Sequence, residues 1–374
     1  MKERILIACN DPGGSMVCLP VIKRLLKDDK YYISIFAGKY AEKIFKEEKI
    51  ACKTLRQSRF TKKEMVTIER ILKEEEPSLV FTSTSFGKAI DNAFLYAAIK
   101  RKKKTFALLD QWCNYTQRFR VFSRNKKIGY IPDLIGVMDN FTKQEMIDEG
   151  FPAKRLIVTG HPYFDTLIGQ NIRLPKTKQS SFRKKLGIPP KNLIIVFASE
   201  PFRKGDLRMI GYTDIIIARA LIRSLESIAE KAGKPITFLI KIHPRDERKD
   251  SVFPLSSSPW LQIVLARPGR ATDFIQNADI VVGMQSIFLI ESFLLGKPTL
   301  NIQIDRKNKD TLLTNKMGLT KAIESYEMLN KTLSDIIIRK TIIKNNSNHS
   351  CFAEMDGKST DRVISIINKI LCKK

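Results

Sequence analysis

Histidine is scarce in this sequence, at three among 374 residues, and tryptophan scarcer still at two. The six cysteines (Cys9, Cys18, Cys52, Cys113, Cys351 and Cys372) include no C-x-x-C pair, and three histidines cannot complete a ligand set for them. A structural metal site is therefore disfavoured, no cofactor is called for, and Cys9 and Cys18 are expected as buried reduced thiols. No apolar run approaches the roughly 20 residues of a membrane span. The opening residues 1–9 carry too short an apolar stretch for a signal-peptide core, which points to a cytoplasmic chain, soluble or peripheral at the inner face of the plasma membrane. The loop Asn10-Asp11-Pro12-Gly13-Gly14-Ser15 lacks both a G-x-G-x-x-G fingerprint and a P-loop lysine, which disfavours dinucleotide or ATP binding. Acidic residues are outnumbered, 39 against 66 Lys and Arg, for a net charge of +27.

What is present is a regular alternation of strand and helix. A chain this long exceeds what one core usually supports, so two domains are expected. Apolar runs predict strands over 4–9, 31–36, 79–82, 105–109, 134–138 and 156–159, with helices over 16–27, 40–48, 62–75 and 88–102 between them. Residues 169–181 turn polar and Pro/Lys-rich and read as a linker. The scheme then repeats, with strands over 193–198, 236–242, 261–265, 280–282 and 299–303 and helices over 213–231 and 272–277. The domains implied are 1–168 and 182–355, and 356–374 carries a last helix that can cross back onto the first domain. Strands at helical separation argue α/β architecture with parallel sheets covered on both faces, here two doubly wound, Rossmann-like domains facing a central cleft.

The most informative stretch is Ala278 to Pro298. A β-branched run turns at Gly283, Gln285 and Ser286 follow with Ser286 as helix N-cap, and Glu291 sits inside an apolar helix that stops at Gly296. The free N–H groups around Ser286 and Ile287 suit a phosphate, and a buried glutamate one turn on suits a ribose diol. This pattern resembles the donor-binding segment of GT-B glycosyltransferases and of their relative UDP-N-acetylglucosamine 2-epimerase. The stretch Thr159-Gly160-His161-Pro162-Tyr163-Phe164-Asp165 is similar to the Gly-rich turn closing the first domain in those enzymes. Lys241-Ile242-His243-Pro244-Arg245-Asp246 resembles the Lys-x-His-Pro element of bacterial transferases that use CMP-sugars or CDP-glycerol. The resemblance covers the C-terminal half well and the N-terminal half loosely, and implies a GT-B fold.

Candidate residues follow from both lines. Gly13 and Gly14 let a ligand approach the backbone of the first loop, and Ser15 can cap the helix behind it. The resemblance makes Asp11 a candidate base, against a turn aspartate capping locally. Asp110 ends an apolar strand beside Trp112 and Tyr115, where partial burial would raise its pKa and suit it as base. Its alternative is a structural bond to Asn114 or a nearby amide, and Asp-Gln-Trp departs from the acidic pair that GT-B sialyltransferases carry there. Strand alternation points Lys241 and His243 to one face, where His243, with Lys241 or Arg245, can neutralise a leaving phosphate. Arg203 and Lys204 can clamp phosphate or form a solvated loop. The epimerase's histidine-arginine-arginine-glutamate run is absent from that loop, which tells against epimerisation.

The leading expectation is a metal-independent glycosyltransferase moving sugar from a CMP- or UDP-linked donor to a surface glycan, lipid-linked glycan or protein. Alternatives are a sugar-nucleotide 2-epimerase or hydrolase, and a glycerophosphotransferase using CDP-glycerol. Residues 118–127 interleave Phe119 and Phe122 with cations and can lie on an anionic membrane surface, or be a core-anchored loop. A basic nucleic-acid-binding protein is the non-enzymatic alternative, disfavoured because no such motif is present and the cations are spread over many elements.

Overall fold

The computed structural model describes residues 2–55, 60–120, 128–168, 174–202, 206–244, 246, 248, 253, 258–267, 269–341 and 356–372. The chain divides into two units. Unit 1 is Met1–Gly169 with His349–Lys374, and unit 2 is Gln170–Asn348.

Unit 1 is built on a 7-stranded sheet of order β3-β2-β1-β4-β5-β6-β7. Its strands are β1 (Glu3–Cys9), β2 (Tyr31–Ala37), β3 (Lys53–Thr54), β4 (Leu79–Thr82), β5 (Lys104–Leu108), β6 (Leu134–Val137) and β7 (Leu156–Val158). Every pairing is parallel. Alternation along β1 sends Leu6 and Ala8 to one face, against the helices Lys62–Glu75 and Ile90–Lys100. Ile5, Ile7 and Cys9 go to the other, where the helices Pro12–Leu25 and Ser359–Cys372 lie. With both faces covered, continuous apolar strands are what the sheet requires.

The Ser359–Cys372 helix joins this core through Val363, Ile366, Ile367 and Leu371, a one-sided stripe at helical spacing. Each such side chain contributes about 1.5–3 kcal/mol on burial. Asp165 fixes the helix start by accepting from the Ser359 N–H (3.1 Å), the Thr360 N–H (2.7 Å) and the Thr360 hydroxyl (2.8 Å).

Unit 2 carries a 6-stranded parallel sheet of order β10-β9-β8-β11-β12-β13. Its strands are β8 (Leu193–Ala198), β9 (Ile236–Lys241), β10 (Leu261–Ala266), β11 (Ile280–Gly283), β12 (Thr299–Ile302) and β13 (Ala322–Ile323). On one face the helix Asp214–Ala232 packs beside Tyr326–Ile337. It starts at Thr213, whose hydroxyl accepts from the Ile216 N–H, and stops at Gly233, whose φ of 60° no β-branched residue would adopt readily.

Two expectations are corrected here. The first helix begins at Pro12, not Met16, with Asp11 as N-cap, so Ser15 lies inside its first turn and donates back to the Asp11 carbonyl (2.8 Å). The second half of the stretch read as linker, 169–181, is the start of the helix Lys176–Lys185, which is fastened beyond that stretch by Phe182 against Phe274 and by Arg183 on the Pro189 and Asn192 carbonyls.

Candidate active site

In both sheets the strand order reverses between the first and fourth strands, and the loops leaving those strands define where a doubly wound sheet takes ligands. In unit 1 these are Asn10 and Asp11 with the helix start behind them after β1, and the loop 83–89 after β4. A Cβ on Gly13 would stand 2.5 Å from Asp110 Oδ2, and one on Gly14 2.6 Å from Ser83 Cβ. The absent side chains thus let the helix start press directly on the carboxylate and the second loop. Ser85 Oγ accepts from the Asp11 N–H (3.4 Å), linking the two loops.

Asp110 is 3% exposed, and its partner is Arg118, itself 2% exposed, at 2.6 Å. Arg118 also donates to the Thr84 carbonyl (2.6 Å), Thr84 Oγ1 (3.3 Å) and Gln111 Oε1 (3.3 Å), and stacks on Phe86 at 4.6 Å. Burial raises the Asp110 pKa, the Arg118 guanidinium opposes that shift, and Asp11 adds to it. The flanking aromatics have other partners: Trp112 donates to Asp139 (2.6 Å) and Tyr115 to Glu145 (2.7 Å). Asp110 is therefore enclosed rather than open. Arg118 and Phe119, expected either on a membrane surface or in a core-anchored loop, lie in the core, and Phe119 is fully buried. The rest of that patch, 121–127, lies outside the described residues. Asp11 is the more accessible acid, bonded by the Asn10 amide at 3.1 Å.

Two further groups border this site. Asp91 is fully buried and accepts from the Ser83 and Ser85 hydroxyls (2.7 Å each) and the Asn92 N–H (2.9 Å). Burial pushes its carboxyl up to about 7. His161 clusters with Trp112 and Phe164, its ring centroid 5.6 Å from the first and 4.1 Å from the second, with Nε2 3.4 Å from the Asp110 carbonyl oxygen. Burial pulls it down to about 4, so it is neutral at physiological pH.

In unit 2 the corresponding loops leave β8 and β11. Gly283 ends β11, and the helix Ile287–Leu294 follows with Ser286 as N-cap, its hydroxyl accepting from the Phe288 N–H (3.3 Å). Glu291 is 4% exposed on this helix. Its charge acts on Lys241, at the end of β9, which is 9% exposed and whose Nζ lies 5.4 Å from the Phe274 ring and 5.7 Å from the Phe288 ring. Burial lowers the Lys241 pKa, and Glu291 opposes that. His243 is partly exposed, and its N–H donates to Ser199 Oγ (3.1 Å). Lys297 of the Gly-Lys-Pro segment serves the fold, donating to the Gln276 (2.9 Å) and Ala278 (2.8 Å) carbonyls. Arg203, Lys204 and Arg245 lie outside the described residues.

Sequence reasoning passed over Glu200. Its carboxylate accepts from the Gln285 N–H at 2.7 Å and is also held by the backbone of Met284 and Ser286. Gln285 is anchored as well by donating to the Tyr212 hydroxyl (2.9 Å) and accepting from Thr311 (2.7 Å). The signal was Glu200's position directly after the first strand of a doubly wound sheet.

No protein-family model and no curated protein sequence matches this chain. Solved structures do resemble it over their whole length. S. aureus MnaA, determined with UDP, superposes with a TM-score of 0.71 at 13% identity, covering 99% of this chain and 97% of that one. The UDP-GlcNAc 2-epimerase of Neisseria meningitidis, bound to UDP-GlcNAc, gives 0.68 at 14%, covering 98% and 100%. A glycosyltransferase of Rickettsia africae gives 0.65 at 14%, covering 100% of both. The fold is thus the two-domain, Rossmann-like architecture shared by GT-B enzymes and UDP-GlcNAc 2-epimerases.

Proposed function

We propose that this chain is an enzyme of nucleotide-sugar chemistry that acts on its donor alone, as a 2-epimerase or hydrolase of a UDP-linked N-acetylhexosamine. The observation that carries the reading is the β11 turn of unit 2. There Gly283, Gln285, Ser286 and Ile287 open a helix that buries Glu291 in the field of Lys241, at the carboxyl end of a Rossmann-like sheet. That arrangement suits a nucleoside diphosphate, with amides and Lys241 toward phosphate and Glu291 toward the ribose diol. His243 would balance charge on the departing phosphate, so no metal is needed for that purpose. In unit 1 the candidate acid–base group is Asp11, the accessible carboxylate, with Asp110 buried behind it and paired to Arg118. The likeness to epimerases over the full chain supports this reading above transfer.

A second reading, glycosyl transfer from a CMP- or UDP-linked donor to a glycan, lipid-linked glycan or protein, is favoured by the loop after β8. It reads Ser199-Glu200-Pro201-Phe202, without the histidine-led basic run of the epimerases. Incubating purified protein with UDP-GlcNAc alone and following the anomeric protons by NMR separates the two. Donor-only conversion or hydrolysis supports the first reading. An unchanged donor that is consumed once acceptor glycans are added replaces it with the second.

A further inference from the structure

The amides of the turn leading into the Ile287–Leu294 helix are already occupied. Glu200 Oε1 accepts from the Gln285 N–H at 2.7 Å, and the backbone of Met284 and Ser286 holds the same carboxylate. Glu200 follows β8 and Met284–Ser286 follow β11, so this contact spans the point where the strand order of unit 2 reverses. A doubly wound sheet receives ligands there. A second observation marks the place as one for an anion. Lys241 is nine-tenths buried, its ammonium faces the rings of Phe274 and Phe288, and among the described residues it has no hydrogen-bonding or ion-pair partner. Phe288 belongs to the first turn of the same helix. A buried cation and a set of convergent amides are thus provided, and the protein's own carboxylate fills the amide part.

We infer that Glu200 is an internal stand-in for the ligand's phosphate, so that a nucleotide-sugar enters this crevice only as Glu200 takes up a proton from solvent. The inference rests on the nucleotide-sugar reading and deepens it. The physical reason is that two anions cannot share one set of amides at low dielectric without strong repulsion. As a neutral acid, Glu200 can leave the amides to the diphosphate and donate its O–H to a phosphate oxygen instead. The balance is one ionised carboxylate, one proton and one ligand giving one carboxylic acid and one bound ligand.

The surroundings permit this near neutral pH. Burial pushes the Glu200 carboxyl up to about 7 against the pull of the Gln285, Met284 and Ser286 amides, and Asp214 adds to the rise. Asp214 is itself ion-paired to Arg248 (2.5 Å), which also holds Asp246 (2.7 Å). Tyr212 faces Glu200 from the segment before the Asp214–Ala232 helix, and Arg306 and Asp310 act on Tyr212. β9 and the loop after it contribute Lys241 and His243, and Arg203 and Lys204 of Glu200's own loop lie outside the described residues.

Isothermal titration with UDP-GlcNAc, whose diester phosphates do not titrate near neutrality, tests the proposal. Runs at pH 6.0, 7.0 and 8.5 in buffers of different ionisation enthalpy give the protons taken up per ligand bound. For the wild type, affinity should fall roughly tenfold per pH unit above about 7, with uptake approaching one proton at pH 8.5. Glu200→Gln, with its melting temperature checked, should bind with little pH dependence and more tightly than wild type at pH 8.5. Binding by Glu200→Gln but not by wild type at pH 8.5 also supports the proposal. Equal affinities and no proton uptake in both proteins overturn it while leaving the nucleotide-sugar reading in place. No binding by either protein at any of these pH values overturns both.

Discussion

Replacing Arg118 with Met isolates the ion pair at the centre of unit 1, because methionine keeps the stem's packing and removes only the guanidinium. Arg118 and Asp110 are 2% and 3% exposed, and one guanidinium nitrogen serves Asp110 Oδ1 and the Thr84 carbonyl at 2.6 Å each. Removing one partner of such a pair strands a buried charge, which costs about 3–5 kcal/mol. For a unit of roughly 200 residues each kcal/mol moves the midpoint by about 2–4 °C, so a fall on the order of 10 °C is expected. The pH dependence identifies the cause. Burial already raises the Asp110 pKa, and losing Arg118 raises it further. A carboxyl whose folded pKa is raised contributes stability at low pH that is lost as pH rises through the folded value. The deficit of Arg118→Met should therefore be large at pH 8 and shrink toward pH 5. Calorimetric scans of wild type and variant at both pH values provide the comparison. Adding Asp110→Asn should restore part of the loss at pH 8, since both charges are then gone. A deficit under about 1 kcal/mol that is the same at both pH values would refute the reasoning.

Gly13→Ala places a Cβ 2.5 Å from Asp110 Oδ2, so urea denaturation should show a loss of about 1–3 kcal/mol, although alanine is the better helix former. A gain in stability would mean that the helix start does not press on that carboxylate. Asp91, raised to about 7 mainly by burial, makes the wild type lose stability as pH climbs from the ordinary carboxylate range through 7, by up to about 1.4 kcal/mol per pH unit. Denaturation of Asp91→Asn at pH 5, 6, 7 and 8 should give a flatter profile, and an unchanged slope would assign the titration to another group.

Long strands and the longer helices were legible because both leave periods. β4 and β8 and the helix Lys62–Glu75 occur where the apolar pattern puts them. The two-residue strands Lys53–Thr54 and Ala322–Ile323 carry no period to read. The start of the Pro12–Leu25 helix was hidden because Gly13 and Gly14 disfavour helix by propensity, although Pro12 stands at a position where a helix start accepts proline. The Lys176–Lys185 helix has no buried face to betray it. In the candidate site, Glu291 stood out as an isolated acid among apolar residues. Asp91 has the same signature within Ala89-Ile90-Asp91-Asn92-Ala93-Phe94 but lies in a stretch that resembled nothing known. The place of Arg118 stayed open between a membrane surface and a core-anchored loop, because aromatics interleaved with cations look alike in both settings. Its partner Asp110 stands eight residues away, a proximity only the fold makes meaningful.

The central claim is that unit 2 grips a nucleotide-sugar through the Gly283–Glu291 segment. Calorimetric titration of UDP-GlcNAc at pH 6.5 into wild type and Glu291→Gln tests it directly. The account predicts wild-type binding with a dissociation constant between about 1 μM and 1 mM and at least tenfold weaker binding by a folded Glu291→Gln. Equal affinity in the two proteins, or no heat of binding to wild type at millimolar ligand, contradicts it.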